Sequence, residues 1–195
     1  MVIYRPQTYV ERLNLPQLFP KVQPLEVELG SGDGSFLIEW CRQHPERNFI
    51  GVERLLGRIR KIERKGLRAG FTNLRCIRLE ASYVLEYLLP ISSVQALHVY
   101  FPDPWPKRKH RKHRLVNSHF TDVAAKILAV NGVVFLRTDD PDYFGQMTAV
   151  FGANPHFSVM ETPAEVSAVL TDFEREFQAR GVSTLRAAYR KEVRL

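Results

Sequence analysis

Residues 101–114 read FPDPWPKRKHRKHR. Asp103 is the only acid of this run and stands among Pro102, Pro104 and Pro106; six Lys/Arg and two His follow with no acid between them. Proline fixes its own φ, lacks an N–H and pushes the residue before it into extended geometry, so a stiff, exposed, non-helical loop is expected. One carboxylate at the root of a cationic tongue suits a site that holds a polyanion while the acid faces a reacting group. The chain's charge agrees: 28 Lys and Arg against 21 Asp and Glu give +7, and removing the tongue's six leaves +1. Charge focused in one loop points to a polyanionic partner, most often nucleic acid. The competing reading is a solvated charged loop. His110 and His113 invite a metal, but the surrounding cations repel a divalent ion, so no metal is expected.

A second set of acids surrounds a glycine turn, Glu28-Leu29-Gly30-Ser31-Gly32-Asp33-Gly34. Glycines there permit a tight turn and close approach of backbone to a ligand. Glu53 lies 23 residues beyond Gly30, where an acid can accept hydrogen bonds from both hydroxyls of an adenosine ribose. A dinucleotide fingerprint wants Gly or Ala at position 35, and Ser35 stands there instead. The turn, the acid before it and the acid after the next strand together fit S-adenosyl-L-methionine. That cofactor is a sulfonium with a free amino group and no phosphate. It gains from carboxylates and has no use for a helix N-terminus aimed at pyrophosphate. Glu80 fits two roles, a contact to the adenine edge or a surface acid capping the next helix.

The elements that must position these groups follow from periodicity. Residues 1–24 hold Pro6, Pro16, Pro20 and Pro24 without a clear period and read as an irregular leader. Strands are expected at 25–29, 48–53, 74–79, 94–100 and 132–138, and helices at 34–43, 56–69, 83–89, 115–130 and 141–151. The helix at 56–69 has a basic face of Arg58, Arg60, Lys61, Arg64, Lys65 and Arg68. Alternation of strand and helix is the pattern of a doubly wound α/β sheet, mostly parallel. Residues 156–160 and 183–193 read as an antiparallel edge pair. Ligands of such sheets bind outside the carboxyl ends of the strands, which is where both groups of acids fall.

Length and composition fit one domain from 25 to 195 with a full core. No apolar run is long enough to cross a bilayer, and no signal-peptide core opens the chain. Cys41 and Cys76 lie far apart in apolar surroundings and read as reduced core thiols of a cytoplasmic protein.

The motifs coincide with a family. The chain resembles the bacterial tRNA (guanine-N7-)-methyltransferases over roughly residues 25–192, through LEVELGSGDG, FIGVE, FPDPWPKRKHRKHR-LV, RTD and TDFE. The resemblance implies a Rossmann-like class I methyltransferase fold of seven strands with an antiparallel edge, acting as monomer or homodimer. It implies S-adenosylmethionine as methyl donor and a variable-loop guanosine of tRNA as acceptor. Carried over by motif, Glu28, Gly30, Gly32, Glu53, Glu80 and Asp103 are cofactor positions, and Asp103 is also the catalytic acid. Lys107, Asp139, Thr171, Asp172, Phe173 and Glu174 are substrate positions; Lys109, His110, Arg111, Lys112, His113 and Arg114 contact RNA. Ser31 and Glu80 depart from the family's usual residues, an aromatic and an Asp or Asn.

Each position has a plainer alternative. Asp103 could cap a turn, since Asp-Pro is a turn dipeptide. Thr171-x-x-Glu174 is a capping-box pattern. Asp140-Pro141 reads as a helix cap, which leaves Asp139 free. Trp105 could stack on a base or anchor its loop. At the level of function the rivals are an exocyclic-amine nucleic-acid methyltransferase and a non-catalytic RNA-binding protein on a methyltransferase fold. Trp105, in place of a proline after Pro104, argues against the first. The intact Glu28, Glu53 and Asp103 argue against the second.

Overall fold

The computed structural model describes residues 2–192. Its elements in order are β1 (Ile3–Tyr4), α1 (Leu15–Leu18), β2 (Leu25–Leu29), α2 (Ser35–Gln43), β3 (Asn48–Val52), α3 (Leu56–Arg68) and β4 (Leu74–Ile77). There follow α4 (Ala81–Tyr83), a π turn (Val84–Leu88), β5 (Val94–Tyr100), a 3-10 helix (Arg108–His113), α5 (Ser118–Ile127) and β6 (Leu128–Thr138). The chain closes with α6 (Pro141–Ala153), β7 (Phe157–Met160), α7 (Ala164–Ala168), α8 (Asp172–Ala179) and β8 (Leu185–Lys191).

One sheet runs in the order β1-β4-β3-β2-β5-β6-β8-β7. Every pairing from β1 to β6 is parallel, and β8 lies antiparallel between β6 and β7. This is the doubly wound α/β architecture with an antiparallel edge, built with eight strands where seven were expected. The extra strand is β1, which pairs with β4 and comes from the leader. Leu13, Leu18 and Phe19 are buried as well, so the leader is held by apolar side chains that its lack of period concealed. The strand order reverses between β2 and β5, which opens the crevice at their carboxyl ends.

The strands are buried on both faces. In β2, Val27 and Leu29 pack with Leu85, Phe120 and Tyr143 on the side of α5 and α6. The other side holds Phe36, Trp40, Ile59 and Ile62 from α2 and α3. Side chains alternate along a strand, so Glu26 and Glu28 are carried into the α2/α3 side, where both are buried.

Three local expectations are corrected. The basic run is a 3-10 helix, because the proline restriction ends at Pro106 and His110 N–H then bonds Lys107 O at 2.8 Å. The fifth helix starts at Ser118, where Asn117 caps it by accepting from Phe120 N–H at 3.0 Å. Strand β6 starts at Leu128, before the Asn131-Gly132 kink, since Leu128 already pairs with Val94. Beyond Met160 the short helix α7 has no counterpart in the expected elements, since its 5 residues offer little period to detect, while α8 begins at the Thr171-x-x-Glu174 capping box.

Candidate active site

The crevice holds a cleft of about 260 Å³ lined by Glu28, Gly30, Gly32, Tyr100, Phe101 and Phe173, among others. Its floor is the glycine turn. Gly30 (φ 79°) and Gly32 (φ 56°) adopt left-handed backbone, and a Cβ on either would meet nothing within 4 Å. The turn is therefore bare on its cleft side, and its shape needs residues without a Cβ. It is fixed from behind: Gly30 and Ser31 N–H donate to Val52 O at 2.8 and 2.9 Å, and Gly32 N–H donates to Glu53 Oε2 at 3.0 Å. Glu53 Oε1 accepts from Leu55 N–H at 2.7 Å. A carboxylate offers about four acceptor positions, so Glu53 retains capacity for a ligand while it braces the turn. Asp33 is held at about 2: burial pushes it up, and Lys65, at 2.6 Å, together with hydrogen bonds from Asp172 and the Ser35 N–H, outweighs that.

Glu28 is the unusual group. It is 3% exposed, and its Oε2 is buried without a hydrogen-bond partner. Burial pushes its carboxyl up to about 8, with Asp33 and Glu53 adding to the rise and Ser31 and Arg137 opposing it. A buried, unsatisfied carboxyl in a cleft is costly unless a cation or donor joins it.

Tyr100 forms part of the wall and is immobilised through a chain that the sequence did not disclose. Its hydroxyl meets His98 Nδ1 at 2.7 Å, and His98 Nε2 meets Glu26 Oε2 at 2.9 Å. Trp40 Nε1–H donates to the same Glu26 oxygen at 2.7 Å. Burial lowers the His98 pKa, so the ring is neutral, with Nε2–H donating to Glu26 and Nδ1 accepting from Tyr100. The partners of Glu26 outweigh its burial and hold it ionised, at about 2. On the Tyr100 ring, at 4.1 Å, lies the guanidinium carbon of Arg137.

Residues 171–174 divide in two. Thr171 and Glu174 form the capping box of α8. Glu174 is 0% exposed; it binds Arg137 at 2.6 Å and Arg186 at 2.7 Å and accepts from Thr171 N–H at 3.1 Å. The residue expected at the substrate thus sits in an ion cluster with Arg137 and Arg186. Asp172 and Phe173 line the cleft, and Asp172 N–H donates to Ser35 Oγ at 2.9 Å, tying α8 across the glycine turn. Phe173 lies against Phe101 at 6.0 Å between ring centroids.

The proline loop is stiff in an unforeseen way. Phe101 (φ 50°) and Trp105 (φ 44°) both adopt left-handed backbone, bracketing Asp103. Such strain in non-glycine residues collects at functional sites. Asp103 is exposed, as are Lys107 and Glu80, while Asp139 is half-buried at the end of β6. Glu80 makes no cap bond to α4; it lies 3.6 Å from Arg54 and lines a second cleft, of about 240 Å³, shared with Lys112 and His113. Trp105 packs against His113 at 5.2 Å and His110 at 5.9 Å, which makes it the anchor of the tongue.

Arg114, expected among the RNA-contacting residues, is the root of the tongue. It is 2% exposed, donates to Pro104 O, Gln146 Oε1 and Asp142 Oδ2 at 2.7, 2.9 and 2.6 Å, and covers the Tyr143 ring. Arg111 also pairs with Asp142, at 3.0 Å. Lys109, Lys112 and His113 remain exposed; His110 is half-buried. Among the described residues, no group of three His, Cys, Asp or Glu could hold a metal ion, and no helix is long and apolar enough to cross a membrane.

A family model described as "Putative methyltransferase" matches residues 22–187. The tRNA (guanine-N(7)-)-methyltransferase of Psychromonas ingrahamii is 39% identical over 140 residues, covering 72% of this chain and 58% of that protein. This chain thus spans less than two thirds of that relative's length. The tRNA (guanine-N(7)-)-methyltransferase of Sodalis glossinidius is 34% identical over 174 residues, covering 87% of this chain and 73% of the relative. Among solved structures, the 16S rRNA methyltransferase KamB superposes with a TM-score of 0.68 at 16% identity, covering 94% of this chain and 95% of that one.

Proposed function

The chain belongs to the tRNA (guanine-N(7)-)-methyltransferase family, and from that premise we propose that it transfers a methyl group from S-adenosylmethionine to N7 of a variable-loop guanosine in tRNA, in the cytoplasm. The observation that carries the proposal is the buried, unpartnered Glu28 oxygen beside two bare glycines. A cationic ligand without phosphate supplies what that cleft lacks. Glu28, Gly30 and Gly32 would hold it, with the spare acceptor positions of Glu53 for its ribose and Glu80 toward the adenine. When bound, the cofactor supplies an electrophilic methyl group on a sulfonium sulfur.

Guanine N7 carries a free lone pair, so the protein needs no general base, and its task is alignment. Positive charge grows on the guanine as the new bond forms. Asp103 stabilises that charge, and the strained residues on either side keep its carboxylate from relaxing away. Asp139 accepts from the N–H edge of the base. Lys107, Asp172 and Phe173 line its approach, and the exposed cations of the tongue hold phosphates. The base leaves its contacts in the folded RNA to enter. The experiment is radiolabelled methyl transfer to bulk tRNA followed by nucleoside analysis. Label in 7-methylguanosine is expected; label in an N-methylated exocyclic amine, or none, would overturn the proposal.

A further inference from the structure

On the reading that tRNA is the substrate, we infer that the exposed face of α3 is a second phosphate-binding surface, across the sheet from the tongue. Helix α3 carries Arg58, Arg60, Lys61, Arg64, Lys65 and Arg68 against a single acid, Glu63. Lys65 is engaged by Asp33. The other five are exposed, and none pairs with a carboxylate among the described residues. In the tongue, Asp142 engages Arg111 and Arg114, which leaves four such cations: Lys107, Arg108, Lys109 and Lys112. The helix therefore offers five free cations against the loop's four, and with Glu63 counted its free charge equals that of the loop that dominates the sequence. The whole-chain sum hides this. Subtracting the tongue's six and the helix's net five from +7 leaves −4 for the rest, so acids elsewhere cancel α3 in the total but not in space.

The placement opposes the helix's own electrostatics. No acid occupies its first turn, and Arg58, Arg60 and Lys61 crowd the end where the macrodipole disfavours cations. Arg60, Arg64 and Arg68 repeat at i, i+4, the spacing at which like charges repel. Packing asks for none of this, because the buried side consists of Ile59, Ile62 and Gly66. A polyanion relieves all of it together. Arg58 and Lys61 also line the cofactor cleft, so the patch is continuous with the site. Ile59 and Ile62 belong to the α2 side of the sheet. The tongue is rooted on α6, whose Tyr143 and Met147 belong to the other side. An RNA entering the cleft is thus gripped on both sides.

The test is the triple variant Arg60→Ala/Arg64→Ala/Arg68→Ala, since none of the three lines the cofactor cleft. Binding of an unmodified tRNA transcript with a variable-loop guanosine is measured over a salt series. The slope of log affinity against log salt should flatten by roughly 0.7–0.9 for each lost phosphate contact, about two units in all, with unchanged S-adenosylmethionine affinity. The corresponding triple Lys variant should keep the wild-type slope. An unchanged slope in the Ala triple, where the tongue variant Arg108→Ala/Lys109→Ala/Lys112→Ala flattens it, overturns the inference and leaves the proposed function standing. Equal losses in the Ala and Lys triples mark a packing role and also overturn it. Wild-type protein that neither binds nor methylates the transcript fails the functional reading itself.

Discussion

The two rims of the cleft are held by different physics. The glycine turn is knitted from behind by hydrogen bonds to Val52 and Glu53, and its acids are buried or paired. The proline loop is kept in shape by left-handed backbone at Phe101 and Trp105 and by the buried root Arg114, and its acid and cations face solvent. The first arrangement suits a small ligand of fixed shape. The second suits a large, flexible polyanion whose reacting base must be met by one exposed carboxylate. If this division holds, damage to one rim should change cofactor affinity and damage to the other should change turnover.

The largest expected effect breaks the division. Helix α8 crosses between the rims through Asp172 and Phe173, and Glu174 pins it by its bonds to Arg137 and Arg186. Glu174→Ala leaves Arg137 buried without its counter-charge, a change that typically costs about 3–5 kcal/mol. Denaturant unfolding should show a loss of that size, and both cofactor and tRNA binding should suffer. A stable protein that loses tRNA binding alone would assign Glu174 to the substrate site instead.

Next in size is Asp103→Asn. The amide keeps the carboxylate's shape and loses its charge. Removal of an electrostatic group aimed at developing charge typically costs about 2.7–4 kcal/mol, or roughly 10²–10³ in rate. Single-turnover methyl transfer at saturating cofactor and tRNA should slow by that factor with tRNA binding nearly intact. An unchanged rate would reduce the carboxylate to a turn-former. On the opposite rim, Glu53→Ala should weaken S-adenosylmethionine binding by about 1.5–3 kcal/mol, the scale for a hydrogen bond to a charged group. Because Glu53 also braces Gly32 N–H, Glu53→Gln should recover only part of the loss. Calorimetry of both variants checks this, and equal affinities for Ala and Gln would deny the bracing role.

These contrasts show which parts of the molecule were legible in the chain. The parallel core was, because β2, β3 and β5 are short apolar runs ended by turn residues, and the acids after them fall at the crevice by topology. Local motifs were legible too: Asp140 caps α6 and Thr171 caps α8, as their sequences said. Long-range pairing was not. Arg114 looks like any tongue cation until Asp142 and Gln146 are brought beside it from 28 and 32 residues away. His98 gave no signal because its partner Glu26 lies 72 residues off in the neighbouring strand. The second cationic surface was visible as residue types, but a charge sum has no geometry. Strain at Phe101 and Trp105 is a backbone property that residue type, neither being glycine, would argue against.

The smallest effect is the most specific to the first rim. In the free protein burial holds the Glu28 carboxyl at about 8, so at pH 7 it is mostly protonated. A cationic ligand in the cleft favours the ionised form, so binding must release a proton below pH 8. Arg137 favours ionisation as well, but Asp33 and Glu53 oppose it, and burial is the largest influence. Affinity for S-adenosylmethionine should therefore fall by at most tenfold per pH unit below 8, about 1.4 kcal/mol, and level off above it. Stability of the free protein runs the other way. The folded value lies above the ordinary 4.5, so the folded state binds more protons between the two values. This group's contribution is complete below about pH 4.5 and is lost as pH rises toward 8. Calorimetric titrations at pH 7 in buffers of different protonation enthalpy should report close to one proton released in the wild type and none in Glu28→Gln. Asp103→Asn, on the other rim, should release the same proton as the wild type. Proton release that vanishes in Asp103→Asn but survives in Glu28→Gln would assign the titrating group to the wrong rim and dissolve the division between them.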